Sequence, residues 1–167
     1  ILGGISWDAW FMYCGALTLG ALLKESGAAL WLAQTFLKIL GYIGMSQGLG
    51  LWIGLSGLSG LMTNFMSDAG TTALLGPIVI PMGVMTGVAG EPWAVGLAVA
   101  FATSFAHFLI VGTPNNAIVY SLAKDPETGE QLLTTKDFLI HGFAVFLFSM
   151  AVLWIWVFLG YWQWITI

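Results

Sequence analysis

Ten residues constrain this chain more than any others: Thr63-Asn64-Phe65-Met66-Ser67-Asp68-Ala69-Gly70-Thr71-Thr72. They lie between two of its most apolar segments, 49–62 and 73–85, yet Thr63, Asn64, Ser67, Asp68, Thr71 and Thr72 all carry hydrogen-bonding groups. A polar group held away from water costs several kcal/mol unless it finds a partner. A polar island in such a setting is tolerated where it lines a cavity, binds an ion or pairs inside a bundle. The spacing predicts the tip of a helical hairpin that stops partway across a bilayer.

Composition makes the bilayer nearly obligatory. The 167 residues are 59% hydrophobic and 7% charged, against about 25% charged in an ordinary soluble domain. Such a chain cannot cover its own surface with polar groups. Its four cationic side chains are Lys24, Lys38, Lys124 and Lys136, with no arginine. That excludes nucleic acid, which requires basic patches. The single cysteine, Cys14, allows no internal disulfide and reads as a small packed apolar residue. The chain opens Ile1-Leu2-Gly3-Gly4 without a methionine or a basic n-region, so it is expected to be a piece of a longer multi-pass membrane protein.

Six segments follow from the patterning. Residues 1–27 form a transmembrane helix, apolar apart from Ser6, Asp8 and Thr18 and stopped by Lys24-Glu25-Ser26-Gly27. Residues 28–45 form an amphipathic surface helix, because Gln34, Thr35, Lys38 and Gly41 recur at three- and four-residue steps. Residues 46–89 form a re-entrant hairpin with its tip near 63–72. Its first arm carries the small-residue pairs Gly50/Gly54 and Ser56/Gly60, which let helices touch. Its second arm carries Pro77 and Pro81, each freeing a carbonyl four residues back. Residues 90–123 form a helix broken at 112–116, Gly-Thr-Pro-Asn-Asn, where proline removes an N–H and biases Thr113 toward extended backbone. Residues 124–137 form a soluble loop; its Lys124 and Lys136 favour the cytoplasmic side. Residues 138–167 form a terminal transmembrane helix, too long for a hydrocarbon core of about 30 Å unless tilted. Trp154, Trp156, Tyr161, Trp162 and Trp164 near its end suggest an aromatic belt.

The polar tip followed by the proline break resembles the C-terminal half of the divalent anion:sodium symporters, which carry dicarboxylates, citrate and sulfate. The family's Ser-Asn-Thr tip is similar to Ser67-Asp68-Ala69, where Ser67 agrees while Asp68 replaces the asparagine and Ala69 the threonine, ahead of Gly70-Thr71-Thr72-Ala73-Leu74-Leu75-Gly76-Pro77. Its Thr-Pro-Pro-Asn-Ala break is matched by Thr113-Pro114-Asn115-Asn116-Ala117-Ile118-Val119, with Asn115 in place of the second proline. The opening Cys14-Gly15-Ala16-Leu17 and Leu23-Lys24-Glu25-Ser26-Gly27 are similar too.

The resemblance implies an all-α membrane protein: a C-terminal inverted repeat with a re-entrant hairpin and a broken transmembrane helix. It implies sodium-coupled symport of a small anion by an elevator-type movement, with a homodimer, a missing N-terminal half and surrounding lipid as partners. The location is a plasma or bacterial inner membrane. The implied substrate set is Ser67, Asp68, Gly70, Thr71, Thr113, Pro114, Asn115 and Asn116. The implied sodium set is Thr63, Ser67, Asp68, Gly112 and Asn116. Helix N–H groups at 70–72 and 116–117 are expected to face the anion.

Asp68 is the departure that matters, since a carboxylate stands where the family has an amide. Three readings stay open: it ligates sodium, it carries a coupling proton, or the substrate is an unusual one. As a structural residue it is also expected to cap the following helix through the N–H of Gly70 or Thr71. His107 is expected to be a packed helix residue and His141 an interfacial one. An enzyme reading rests on Gly54-Leu55-Ser56-Gly57, similar to rhomboid-type intramembrane proteases with His107 as base. The Thr-Pro-Asn-Asn sequence after His107 favours a carrier, so the chain is not expected to be an enzyme.

Overall fold

The structure, a computed structural model, describes residues 25–164 throughout together with residues 14, 15, 18, 21 and 22. The span expected over 1–27 falls largely outside them. The described chain is helical. Among the described residues the β feature seen is an isolated antiparallel bridge between Lys124 and Gln131, closing the loop ahead of the last helix.

Helix α1 runs Ala28–Tyr42, α2 Gly48–Met62, α3 Asp68–Met85, α4 Glu91–Thr103 and α5 Pro114–Leu122. The last helix, α6, runs Thr135–Val152 and continues through a π-helical segment Leu153–Tyr161 into a final turn, Trp162–Trp164. Among the described residues two stretches are long and apolar enough to cross a membrane, Asp68–Met85 and Thr135–Trp164, while Gly48–Met62 is apolar but shorter.

The hairpin of α2 and α3 is filled by α4. That helix packs along both arms, whereas the arms make few contacts with each other. Small residues permit this. At Gly83 of α3 a methyl group would come within 2.6 Å of the Pro92 backbone of α4. Glu91, buried at the start of α4, accepts the N–H of Gly48 at 2.7 Å. One carboxylate thereby serves the positive N-terminal ends of two helices and ties the hairpin's base.

Two apolar clusters hold the fold. The first joins Ala33 of α1, Leu51 and Leu55 of α2, Leu75, Val79 and Met82 of α3, and Val95 and Val99 of α4. So α1 lies on the hairpin through Ala29, Ala33, Leu37 and Leu40, and leaves Gln34, Lys38 and Gly41 exposed. The second cluster joins Ala98 and Ala102 of α4 to Phe146, Met150, Leu153, Phe158 and Trp162 of the last helix. Leu153 and Phe158 are five residues apart and both buried, as the wider π turn allows. The expected aromatic belt therefore divides. Trp156, Tyr161 and Trp164 are exposed, but Trp162 packs on Phe158 and Trp52 at centroid distances of 4.9 and 5.3 Å. Trp154 likewise turns inward and donates its indole N–H to Ser56 at 3.0 Å.

Pro77 and Pro81 lie inside α3 without ending it. The stretch expected as a helix over 90–123 broken at 112–116 leaves the helix earlier, at Thr103, and residues 104–113 form an irregular connector before α5 begins at Pro114. The break is wider than Gly112–Asn116, because side chains outside the helix capture its backbone.

Candidate functional site

The hairpin tip begins where α2 gives out at Thr63. Ser67, in extended backbone, is the N-cap of α3, and its hydroxyl accepts the N–H of Gly70 at 3.1 Å. The cap is thus Ser67 and not Asp68. Asp68 becomes the first residue of the helix, where the aligned peptide dipoles stabilise an anionic side chain. This frees the Asp68 carboxylate for another partner. Its Oδ1 lies 2.9 Å from the hydroxyl of Thr63, and that hydroxyl lies 2.6 Å from the carbonyl of Thr103, the last residue of α4. Thr72 adds a second link: its hydroxyl is 2.9 Å from the Asp68 carbonyl and 3.1 Å from the Thr103 hydroxyl. The start of α3 and the end of α4 therefore meet at one polar junction, with Thr63 fully buried between them.

Asn64, also fully buried, holds the connector. Its Nδ2 donates to Gly60 O at 2.8 Å and to Phe105 O at 3.3 Å, and its Oδ1 accepts the Phe108 N–H at 3.0 Å. Gly112 presses against the Asn64 backbone, where a methyl group would sit 3.1 Å from Asn64 O. On the far side Thr113 caps α5 by accepting the Asn116 N–H at 3.2 Å. Asn116 Nδ2 donates to Ala106 O at 2.7 Å and Leu109 O at 2.9 Å. Two asparagine amides thus replace the hydrogen bonds that a continuous helix would have made, as buried backbone groups require.

The expected site residues occupy this arrangement unequally. Thr63, Asp68 and Gly112 are brought to the junction of tip and break. Asn116 has both amide protons engaged by the break itself, so its Oδ1 is what it retains for a ligand. The N–H groups of Gly70 and Thr71 are bound by Ser67, and those of Asn116 and Ala117 by Thr113. Thr71 is fully buried with a hydroxyl that has no partner. Pro114 and Asn115 are exposed at the start of α5. Asn64, Thr103 and Glu91 were absent from the expected set. The signal for each was present, since every one is a polar residue in an apolar context that must find a partner.

Ser56 and His107 do not pair. The Ser56 hydroxyl donates to Ile53 O at 3.1 Å and accepts from Trp154, while His107 Nε2 lies 3.4 Å from the Ser149 hydroxyl.

Known proteins bear on this geometry. A family model described as citrate transporter (CitMHS) matches residues 1–166. An uncharacterized transporter of Methanocaldococcus jannaschii is 37% identical over 117 residues, which is 70% of this chain and 26% of that protein. An uncharacterized transporter of Synechocystis is 31% identical over 120 residues, covering 72% of this chain and 19% of that protein. A sodium-dependent dicarboxylate transporter of Staphylococcus aureus is 30% identical over 149 residues, covering 89% of this chain and 26% of that protein. The chain spans about a quarter or less of the length of these curated relatives. No solved structure matches it. With a family match along nearly its whole length and transporters as its relatives, the chain belongs to the citrate transporter (CitMHS) family of membrane proteins.

Proposed function

We propose that this chain is part of a secondary active carrier that moves an organic or divalent anion, of the citrate, dicarboxylate or sulfate class, together with sodium. The observation that carries the reading is a shortage of one hydrogen-bond donor at the hairpin tip. The Thr63 hydroxyl has one proton, yet it lies within hydrogen-bonding distance of two acceptors, Asp68 Oδ1 and Thr103 O. Two such contacts with one proton leave an oxygen cluster that a cation completes. Oxygen ligands, one of them a carboxylate, suit a hard cation such as sodium. The unpartnered Thr71 hydroxyl lies one turn into the same helix.

In this reading Thr63, Ser67, Asp68, Gly112 and Asn116 hold the sodium ion. Asn116 belongs there through its carbonyl oxygen. The anion lies against Ser67, Asp68, Gly70, Thr71, Thr113, Pro114, Asn115 and Asn116. Sodium neutralises the Asp68 carboxylate that would otherwise repel it, and the N-terminal ends of α3 and α5 supply the attraction. The printed names of the relatives supply the substrate classes: citrate for the family, dicarboxylate with sodium for the staphylococcal carrier.

The hairpin is read as re-entrant. Its first arm is 15 residues, about 22 Å at 1.5 Å per residue, short of a core of about 30 Å. An inverted second repeat from the rest of the protein completes the pocket. A homodimeric elevator in a plasma or bacterial inner membrane is the assembly.

The same shortage favours one alternative, proton coupling. A protonated Asp68 would donate to Thr63, and Thr63 to Thr103 O. Uptake by the full-length protein in proteoliposomes separates the two. Citrate, succinate and sulfate are each offered with and without a sodium gradient. Sodium-dependent uptake of at least one, with that dependence lost in Asp68→Asn, is expected. Sodium-independent, pH-driven uptake that Asp68→Asn abolishes would move the assignment to the proton. No uptake of any of the three with either ion would overturn the carrier reading.

A further inference from the structure

From Ser104 to Thr113 the backbone is not helical. Such a segment lacks a periodic ladder to fix its course, so its place against the hairpin tip depends on side chains that reach it. Asn64 reaches it twice, at Phe105 O (3.3 Å) and at the Phe108 N–H (3.0 Å). Its third bond, to Gly60 O at 2.8 Å, anchors the amide on the last turn of α2.

These partners admit few side chains. Two are carbonyls, which accept, and one is an N–H, which donates. The group between them must supply two protons and one lone pair, as a carboxamide does. A carboxylate has no proton to give, a hydroxyl has one, and an aliphatic side chain has neither. Asn64 is fully buried, so bulk water does not stand in for it. With both amide protons and Oδ1 engaged by backbone, the side chain is committed to holding the chain and not to meeting an ion.

What it holds is the spacing between the oxygens assigned above to sodium. Thr63, whose hydroxyl meets Asp68 Oδ1 and Thr103 O, directly precedes Asn64. Thr103 lies just before the clasped Phe105, and Gly112 just after the clasped Phe108. At Gly112 a methyl group would sit 3.1 Å from Asn64 O and 3.2 Å from Asn64 Cα, so the backbones of tip and break are already in contact there. One amide thus keeps Thr63 and Asp68 on one side in register with Thr103 O and Gly112 on the other.

We propose that Asn64 is a positioning residue of the sodium site: it sets sodium affinity by holding the connector, and with it Thr103 O and Gly112, against the hairpin tip. The proposal rests on the reading of the tip as a sodium site.

The test uses the full-length protein and the uptake assay above, with Asn64→Ser as the main variant. A serine hydroxyl can still bond the Gly60 carbonyl four residues back but is too short to bridge to Phe105 and Phe108. The sodium concentration for half-maximal uptake is expected to rise about tenfold, as when a residue that orients metal ligands is removed. The maximal rate at saturating sodium is expected to stay within about threefold, because the interaction lost is one of binding. Glu91→Ala, at the opposite end of α4, loosens the hairpin's base and is expected to leave the sodium requirement unchanged. No rise in Asn64→Ser, or an equal rise in Glu91→Ala, overturns the proposal while sodium-driven uptake by wild type keeps the reading of the tip. Wild-type uptake indifferent to sodium removes both. A second measurement needs no variant. If the clasp favours sodium, sodium favours the clasp to the same degree. Hydrogen exchange at the Phe108 amide of wild type is therefore expected to slow in saturating sodium relative to choline. An exchange rate equal in the two salts overturns the role of Asn64 even where uptake follows sodium.

Discussion

Asn64 Oδ1 accepts the N–H of Phe108 at 3.0 Å, joining the hairpin tip to a connector 44 residues later in the chain. The same side chain donates to Gly60 O and Phe105 O, so one amide holds the end of α2 and both ends of a backbone stretch that is not helical. The relationship couples the tip to the break, because neither can shift without exposing a buried donor or acceptor.

Asn64→Leu is therefore expected to destabilise the protein by about 2–4 kcal/mol, since each buried backbone group left without a partner costs about 1–3 kcal/mol. Thermal unfolding in detergent, followed by tryptophan fluorescence, measures this. A loss no larger than that of Phe65→Leu, at an exposed neighbouring position, would show that the amide clasp contributes little.

Gly142→Ala and Gly76→Ala should diverge. A methyl group at Gly142 collides with the His107–Phe108 backbone, whereas nothing lies within 4 Å of one at Gly76. The first is expected to cost about 3 kcal/mol or more, as overpacking against rigid backbone does. The second is expected to be neutral or to stabilise by up to about 1 kcal/mol, because alanine is the better helix former. Unfolding midpoints of the two variants side by side give the comparison.

Glu91→Ala removes the acceptor of the Gly48 N–H and a buried carboxylate at two helix starts. A loss of about 1–2 kcal/mol is expected, as for other N-caps. Glu91→Gln keeps an acceptor oxygen and is expected to recover part of it. Hydrogen exchange at the first turn of α2 localises the effect.

Ser56→Ala is expected to leave uptake within about twofold of wild type, because the hydroxyl is engaged by Trp154 and Ile53 O and a neutral hydrogen bond contributes about 1 kcal/mol. Loss of a proteolytic activity with uptake intact would revive the protease reading.

The loop carries its own pH dependence. Asp125 accepts the N–H groups of Thr128 and Glu127, which hold its carboxyl below the ordinary carboxylate range. A lowered folded-state pKa means the turn is fully favoured above the ordinary carboxylate pKa and loses that contribution as pH falls through the folded value. The amide resonances of Glu127 and Thr128 are expected to shift on acidification in wild type and not in Asp125→Asn.

Sequence alone determined the class and the outline. So few charges force a membrane protein, and the polar island at 63–72 and the Gly-Thr-Pro break mark the tip and the break, because polar groups and proline act locally and leave a visible pattern. Apolar runs bounded by glycine, proline and polar residues likewise outlined the helices that carry them. What tertiary structure decided was partnership. Whether Ser67 or Asp68 caps α3 depends on the Thr63 hydroxyl being there to meet the Asp68 carboxylate while Ser67 takes the Gly70 N–H. Where α4 ends depends on Asn64 reaching Phe105 and Phe108 across some 40 residues of chain. That Glu91 serves α2, and that Trp154 and Trp162 turn inward and not toward lipid, depend on the same long-range packing. A buried polar group announces in the sequence that it must have a partner; only the folded chain says which one.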